Sequence, residues 1–361
     1  MSATTKFYPL RIREIRRETA DTVSVAFDVP ETVRELFRFT QGQYLTLRTE
    51  IDGVDERRSY SICSAPHEND LRVAIKKVPG GVFSTYANTV LQAGDSLQVM
   101  PPQGRFFTEL HPENRHLYVA FAAGSGITPV MSILKSTLHE EPRSRFMLFY
   151  GNRGFDQIIF HEQLEELKNL HPDRLIVHHI LSRESLGAEL FQGRLNGAKC
   201  QAYSRLLFNP AEVDAFFLCG PEEMIFEIKQ NLEEQHVEPK RIHFELFTSP
   251  GTPKKKINPL AGAGNPDAFD ASVVVIQDGM QFDFQLQSDG STLLDAAMRA
   301  GADLPFSCKG GVCSTCKAKI LEGEVSMDLC YGLEPDEVEA GFVLTCQSHP
   351  KSKKVVVSFD A

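Results

Sequence analysis

An excess of positive charge is missing: 48 acidic residues face 38 basic ones, a formal net charge of -10 over 361 residues. This argues against a general nucleic-acid binder, whose affinity comes from Lys and Arg neutralising phosphates. A long unbroken apolar run is missing too. Leu117 to Leu134 carries no charged residue, but Gly124, Ser125, Gly126, Thr128 and Pro129 interrupt it. In a bilayer those interruptions would leave backbone groups unpaired, whereas a buried strand, a glycine turn and a helix explain the same letters. No membrane span is therefore expected. The stretch from Met1 to Glu18 holds Arg11, Arg13, Arg16 and Arg17 and lacks the apolar segment of a signal peptide, so the sequence predicts a cytoplasmic protein. There is no internal repeat, and the length rules out a small disulfide-stapled module.

What is present is an ordinary globular composition, 42% hydrophobic and 24% charged, long enough for two or three domains. Residues 7 to about 108 alternate apolar and polar in short runs such as Val23 to Phe27, Tyr44 to Leu47 and Leu71 to Ile75, with turns at Gly42, Asp52-Gly53 and Pro79-Gly80-Gly81. That pattern predicts an antiparallel sheet or small barrel. From Leu117 the rhythm changes to apolar strands over 117–122, 146–150, 175–181 and 215–219, separated by helical patterns such as Phe160 to Leu170 and Glu222 to Gln235. Alternating β and α predicts a parallel sheet covered by helices. Pro250, Pro253, Pro259, Pro266 and the run Lys254-Lys255-Lys256 read as a tether. The remainder, from Phe269, shows two early strands, a helix over 292–301, a cysteine-rich loop and a last strand over 354–359. It carries 14 acidic against 7 basic residues, so most of the negative balance sits there.

Four of the 8 cysteines form one arrangement: Cys308, Cys313 and Cys316 in a C-x4-C-x2-C run, then Cys346 far along the chain. This is the spacing of a plant-type 2Fe-2S site. Small residues between them, Ser307, Gly310, Gly311, Ser314 and Thr315, let the loop wrap closely and aim N–H groups at sulfur. Disulfides suit a cytoplasmic chain poorly, and structural zinc more often takes two close-spaced pairs. Cys63, Cys200 and Cys330 have no ligand spacing and read as small apolar fillers.

The stretch Gly124-Ser125-Gly126-Ile127-Thr128-Pro129 follows a strand and opens a helix, so its bare backbone could hold a pyrophosphate. Alone it reads equally as a structural turn, and Pro129 replaces the third glycine of the dinucleotide fingerprint. Arg58-Ser59-Tyr60-Ser61 ends a run of strand signals, and Gly80-Gly81-Val82-Phe83-Ser84 precedes a short helix. An Arg, a glycine-rich helix start and an aromatic are what a flavin diphosphate needs. Taken alone, the first stretch reads as a strand-end salt bridge and the second as an ordinary turn.

Together these motifs make the chain resemble the ferredoxin-NADP reductase superfamily fused to a plant-type ferredoxin domain. The resemblance implies a multidomain β, α/β and α+β fold. It comprises an FAD-binding antiparallel β-barrel over 1–110, a parallel-sheet NAD(P)-binding domain over 111–248, a linker over 249–268 and a β-grasp 2Fe-2S domain over 269–361. Arg58 to Ser61 is similar to the R-x-Y-S flavin motif, Gly124 to Pro129 to the G-x-G-x-x-P nucleotide loop, Cys219-Gly220-Pro221 to the C-G-P motif, and Glu245-Leu246-Phe247 to the flavin-facing segment. The likeness implies Arg58 on the FAD pyrophosphate, Tyr60 against the flavin ring, and Gly81, Phe83 and Ser84 at the diphosphate. Gly124, Ser125, Gly126, Thr128, Pro129, Gly220 and Pro221 would hold the nucleotide, and Ser182-Arg183 its 2′-phosphate, favouring NADPH with NADH possible. The same likeness puts Ser61, Cys219 and Glu245 at the hydride-transfer site, with Phe247 covering the flavin, and Cys308, Cys313, Cys316 and Cys346 on the cluster.

Further passages, among them Tyr150 to Arg153, Thr248 to Gly251, Ala302 to Cys313 and Leu333 to Glu337, resemble more closely the reductase subunits of phenylacetyl-CoA epoxidase complexes. Those are di-iron oxygenases of aerobic phenylacetate breakdown. The implied activity is electron transfer from NADPH through FAD and 2Fe-2S to di-iron oxygenase subunits, with the acidic last domain docking on a basic patch. A reductase for another aromatic-ring or alkane oxygenase and a zinc-holding scaffold are the alternatives.

Overall fold

The computed structural model describes residues 6–184, 187–247 and 268–361. The tether read over 249–268 lies outside them except for Ala268. Two compact units form, one holding residues 8–56 and 60–247, the other the C-terminal region together with Arg57–Ser59.

The larger unit contains two sheets. In the first, β1 (Tyr8–Thr19), β2 (Thr22–Asp28), β3 (Tyr44–Ile51), β4 (Val54–Ser61), β5 (Leu71–Lys76) and β6 (Ser96–Val99) lie in the order β4-β3-β6-β1-β2-β5. The pairings of β1 with β2 and β6, and of β2 with β5, are antiparallel. An isolated bridge from Ile62, just past β4, to Val73 in β5 joins the two edges and closes the sheet into a barrel, which removes its exposed edges. Leu10, Val25, Leu45, Leu47 and Val73 fill its inside. Helix α1 (Val82–Thr89) begins directly after Gly81.

The second sheet is parallel, order β11-β10-β7-β8-β9, built from β7 (Leu117–Ala123), β8 (Arg145–Asn152), β9 (Leu175–Leu181), β10 (Ala215–Gly220) and β11 (Ile242–Leu246). Helices α2 (Ile127–Glu140), α3 (His161–Leu170), α4 (Gly197–Leu206) and α5 (Glu222–Glu234) form its crossovers. Its central strands are buried along most of their length, β10 at every residue, as expected where helices cover both faces. The chain runs β7-β8-β9 to one side, then returns to β10 and β11 on the other. The order therefore reverses between β7 and β10, the position where open α/β sheets bind ligands beyond their carboxyl ends.

In the C-terminal unit, β12 (Asp270–Gln277), β13 (Met280–Gln287), β14 (Lys317–Glu322), β16 (Phe342–Leu344) and β18 (Lys354–Ser358) make a mixed sheet, order β13-β12-β18-β14-β16. The parallel pair β12 and β18 lies inside it. Helix α6 (Leu293–Arg299) buries Leu293, Leu294 and Ala297 against this sheet, with Val273 and Val357 beneath. That is a β-grasp. Strands β15 (Val325–Met327) and β17 (Ser348–Pro350) pair separately, and α7 (Pro335–Glu339) precedes β16.

Candidate functional site

The parallel sheet brings three of the expected site residues to one place. Cys219 and Glu245 are register partners on β10 and β11. Ser61, at the end of β4 and buried, donates from Oγ to Glu245 Oε2 at 2.9 Å. Burial pushes the Glu245 carboxyl up to about 7, against the Ser61 hydrogen bond, which pulls it down. Burial and then the neighbouring Glu245 charge push the Cys219 thiol well up, so it is a neutral thiol and not a nucleophile at neutral pH. The cluster can hold or tune a proton beside a bound ring. It has no activated nucleophile.

The glycine turn lies against the same strand. β7 ends at Ala123, Gly124–Gly126 make one tight turn, and α2 opens at Ile127 with Pro129 in its first turn. Gly126 sits directly on the Cys219 carbonyl, with no room for a side chain. Thr128 Oγ1 donates to the Ser125 carbonyl at 2.9 Å, so its hydroxyl braces the turn. Gly220 ends β10, Pro221 caps α5, and Leu246 ends β11 just before the exposed Phe247. All meet at the carboxyl ends of the strands. Ser182 and Arg183 follow β9 at the same edge, two strands and about 10 Å across from β7. Among the described residues Arg183 makes no ion pair, and its neighbour Glu184 accepts from the Phe155 N–H at 3.1 Å.

In the barrel, Tyr60 is half-buried, its ring tilted over Phe83 at 5.6 Å. The Phe83 ring is in the barrel core, 1% exposed. A diphosphate can therefore meet only its backbone at the start of α1. Ser84 Oγ is likewise committed, accepting from the Val78 N–H at 3.1 Å and donating to the Gly81 carbonyl at 3.3 Å. Arg58 Nη1 donates to the Arg57 carbonyl at 2.7 Å.

Four of the five cysteines of the C-terminal unit, Cys308, Cys313, Cys316 and Cys346, are brought together as two pairs. Cys308 lies beside Cys313 and Cys316 beside Cys346, and sharing a proton within each buried pair holds one thiol down and pushes the other up. Backbone N–H groups point at sulfur: Gly310 to Cys308 Sγ at 3.2 Å and Cys308 to Cys313 Sγ at 3.5 Å. Two pairs of thiols lined by N–H donors fit a diiron cluster, in which each iron takes two thiolates. Of the other cysteines, Cys63 and Cys200 are buried fillers as expected, while Cys330 is only partly buried at the edge of its core.

Two supporting contacts escape motif reading. Tyr150 OH donates to the Gly124 carbonyl at 3.1 Å and accepts from the Ile159 N–H, pinning the glycine turn. Gln347 Nε2 bridges the Lys309 carbonyl at 3.0 Å and Cys346 Sγ at 3.5 Å. Its one signal in sequence is its place beside Cys346.

Three family models tile the chain: an oxidoreductase FAD-binding domain over residues 9–108, an oxidoreductase NAD-binding domain over 121–230 and a 2Fe-2S iron-sulfur cluster binding domain over 275–351. The chain is 43% identical over 357 residues to a component of the 1,2-phenylacetyl-CoA epoxidase of Escherichia coli, covering 99% of both chains. The chain belongs to the ferredoxin-NADP reductase superfamily, in its ferredoxin-fused form. It is also 34% identical to the ferredoxin reductase component of the 3-ketosteroid-9-alpha-monooxygenase of Rhodococcus rhodochrous, over 97% of this chain and 96% of the relative. Phthalate dioxygenase reductase shares the fold across 98% of both chains, at 21% identity and a TM-score of 0.58. This reductase is an oxidoreductase of FAD, a pyridine nucleotide and a 2Fe-2S cluster, which sets the zinc-scaffold alternative aside. Among the described residues, no helix is long and apolar enough to cross a membrane.

Proposed function

We propose that this reductase carries electrons from NADPH to the di-iron oxygenase of a phenylacetyl-CoA epoxidase complex, in the cytoplasm, with domain limits at 1–110, 111–248, 249–268 and 269–361. The observation that carries the partner assignment is the 43% identity along 99% of both chains to a component of that system. FAD, when bound, accepts both electrons of a hydride and releases them singly, as a 2Fe-2S acceptor requires. The chain's own residues position this exchange. Arg58 and the backbones of Gly81, Phe83 and Ser84 would hold the FAD diphosphate, Tyr60 would lie against the flavin ring, and Phe247 would cover it.

The turn Gly124, Ser125 and Gly126, with Thr128, Pro129, Gly220 and Pro221, seats the pyrophosphate of the nucleotide on the α2 N-terminus. Arg183, exposed and without an ion pair among the described residues, grips the 2′-phosphate with Ser182. Ser61, Cys219 and Glu245 line the position where the nicotinamide meets the flavin, and Ser61 holds Glu245 in place. Cys308, Cys313, Cys316 and Cys346 supply the thiolates of the cluster.

Reconstitution tests the reading. The reductase should support NADPH-dependent epoxidation of phenylacetyl-CoA by the purified oxygenase subunits and fail with the 3-ketosteroid-9-alpha-monooxygenase oxygenase. The reverse pattern would transfer the assignment to that second relative.

A further inference from the structure

Outside the flavin, nucleotide and cysteine sites, one group of metal-ligating side chains among the described residues is partly buried. His161 and Glu165 stand one turn apart on α3, so both project from the same helix face, and His179 on β9 meets them. One ligand atom from each lies within 4.8 Å of the others. The two neighbouring histidines of β9 have different surroundings because successive strand side chains point to opposite faces. His178 is stacked between Phe149 and Phe191, at 5.1 and 5.0 Å. His179 turns towards α3, and both its ring nitrogens are buried without a hydrogen bond. Its nearest acidic atom is Glu165 Oε1, 3.9 Å from Nε2.

A buried imidazole with both nitrogens unsatisfied is costly to keep, and a ligand that accepts its lone pair removes the part of that cost borne by the unprotonated nitrogen. We propose that His161, Glu165 and His179 bind a divalent transition-metal ion of the zinc type, at a site distinct from the four cysteines. Two histidines and a carboxylate form a zinc ligand set with a fourth position left for water. Ligand atoms about 3.4 Å apart would surround such an ion, so side-chain adjustment of about an ångström closes the site. The competing charge is Lys168, whose Nζ lies 3.0 Å from both Glu165 oxygens; the ion would take Oε1 and leave Oε2 to the lysine. A bound ion would clamp α3 to the edge strand that leads into Ser182 and Arg183.

The test is equilibrium dialysis of the holoprotein, flavin and iron assayed in every sample, against micromolar Zn2+. Wild type should take up one equivalent that His179→Gln and His161→Gln bind more than ~10-fold more weakly, the least that losing a supporting partner costs. His67→Gln, in the exposed group His67, His139 and Glu140, should leave that equivalent unchanged. X-ray absorption of the loaded wild type should show a nitrogen and oxygen shell without sulfur. Absence of uptake, equal uptake by His179→Gln and His161→Gln with native far-UV circular dichroism, or sulfur in the shell would overturn the proposal.

Discussion

Replacing Gly126 by alanine isolates one contact on which the nucleotide site depends. Gly126 has an ordinary helical backbone, φ -61°, so the substitution carries no conformational penalty. The cost is space. A Cβ there would lie 2.5 Å from the Cys219 carbonyl carbon, nearer still to its oxygen, and 2.9 Å from the Gly220 nitrogen. These are main-chain atoms of β10, held on both sides by β7 and β11, and cannot rotate away as a side chain would. Overpacking costs about 1–3 kcal/mol, and an immovable neighbour sets it near 3. At roughly 2–4 °C per kcal/mol for a unit of this size, the melting temperature should fall by about 6–12 °C.

Gly124→Ala is the internal control. Gly124 has φ +54° and nothing within 4 Å of an added Cβ, so its cost is the left-handed backbone alone, about 1 kcal/mol and roughly 2–4 °C. The chain has no tryptophan, so the melt is followed by far-UV circular dichroism and flavin release. Equal losses in the two variants, or a greater loss for Gly124→Ala, would refute the assignment of Gly126 to close packing against β10.

Three further outcomes follow from the same geometry. Serine at Cys308, Cys313, Cys316 or Cys346 should lower bound iron and abolish reduction of a cluster-dependent acceptor while sparing NADPH-to-dye turnover; equal loss of both would break the division of labour between the units. Arg183→Gln should raise the KM for NADPH by about 10–100-fold, the worth of a charge-assisted phosphate contact, and leave that for NADH unchanged; steady-state kinetics with both donors decides. Glu245 has a folded pKa raised from 4.5 to about 7. Its contribution to stability is complete below 4.5 and is lost as pH rises through about 7, up to about 3 kcal/mol. Glu245→Gln should therefore flatten the fall in urea stability between pH 5 and 8, and an unchanged slope would count against the raised carboxyl.

Local rules carried much of this protein. The strands Val23 to Phe27 and Leu175 to Leu181, helix α5 from Glu222, and the β-grasp hairpin were legible because short apolar β-rich runs and the helical period are both set by the local backbone. The cysteine spacing was legible because a cluster loop must place its first three ligands within one short wrap of chain. Local rules could not bring Ser61 to Glu245, 184 residues on, at 2.9 Å, or set Gly126 on the Cys219 carbonyl, because both contacts depend on strand order and register; only the family resemblance grouped Ser61 with Glu245. Nor could it tell that the Phe83 ring fills the barrel core, or that His178 and His179, alike in sequence, face an aromatic stack on one side and open metal ligands on the other. Composition and spacing determined which chemistries the chain carries. Tertiary structure decided which side chains share a site, because long-range pairing, not local propensity, sets what lies across each strand.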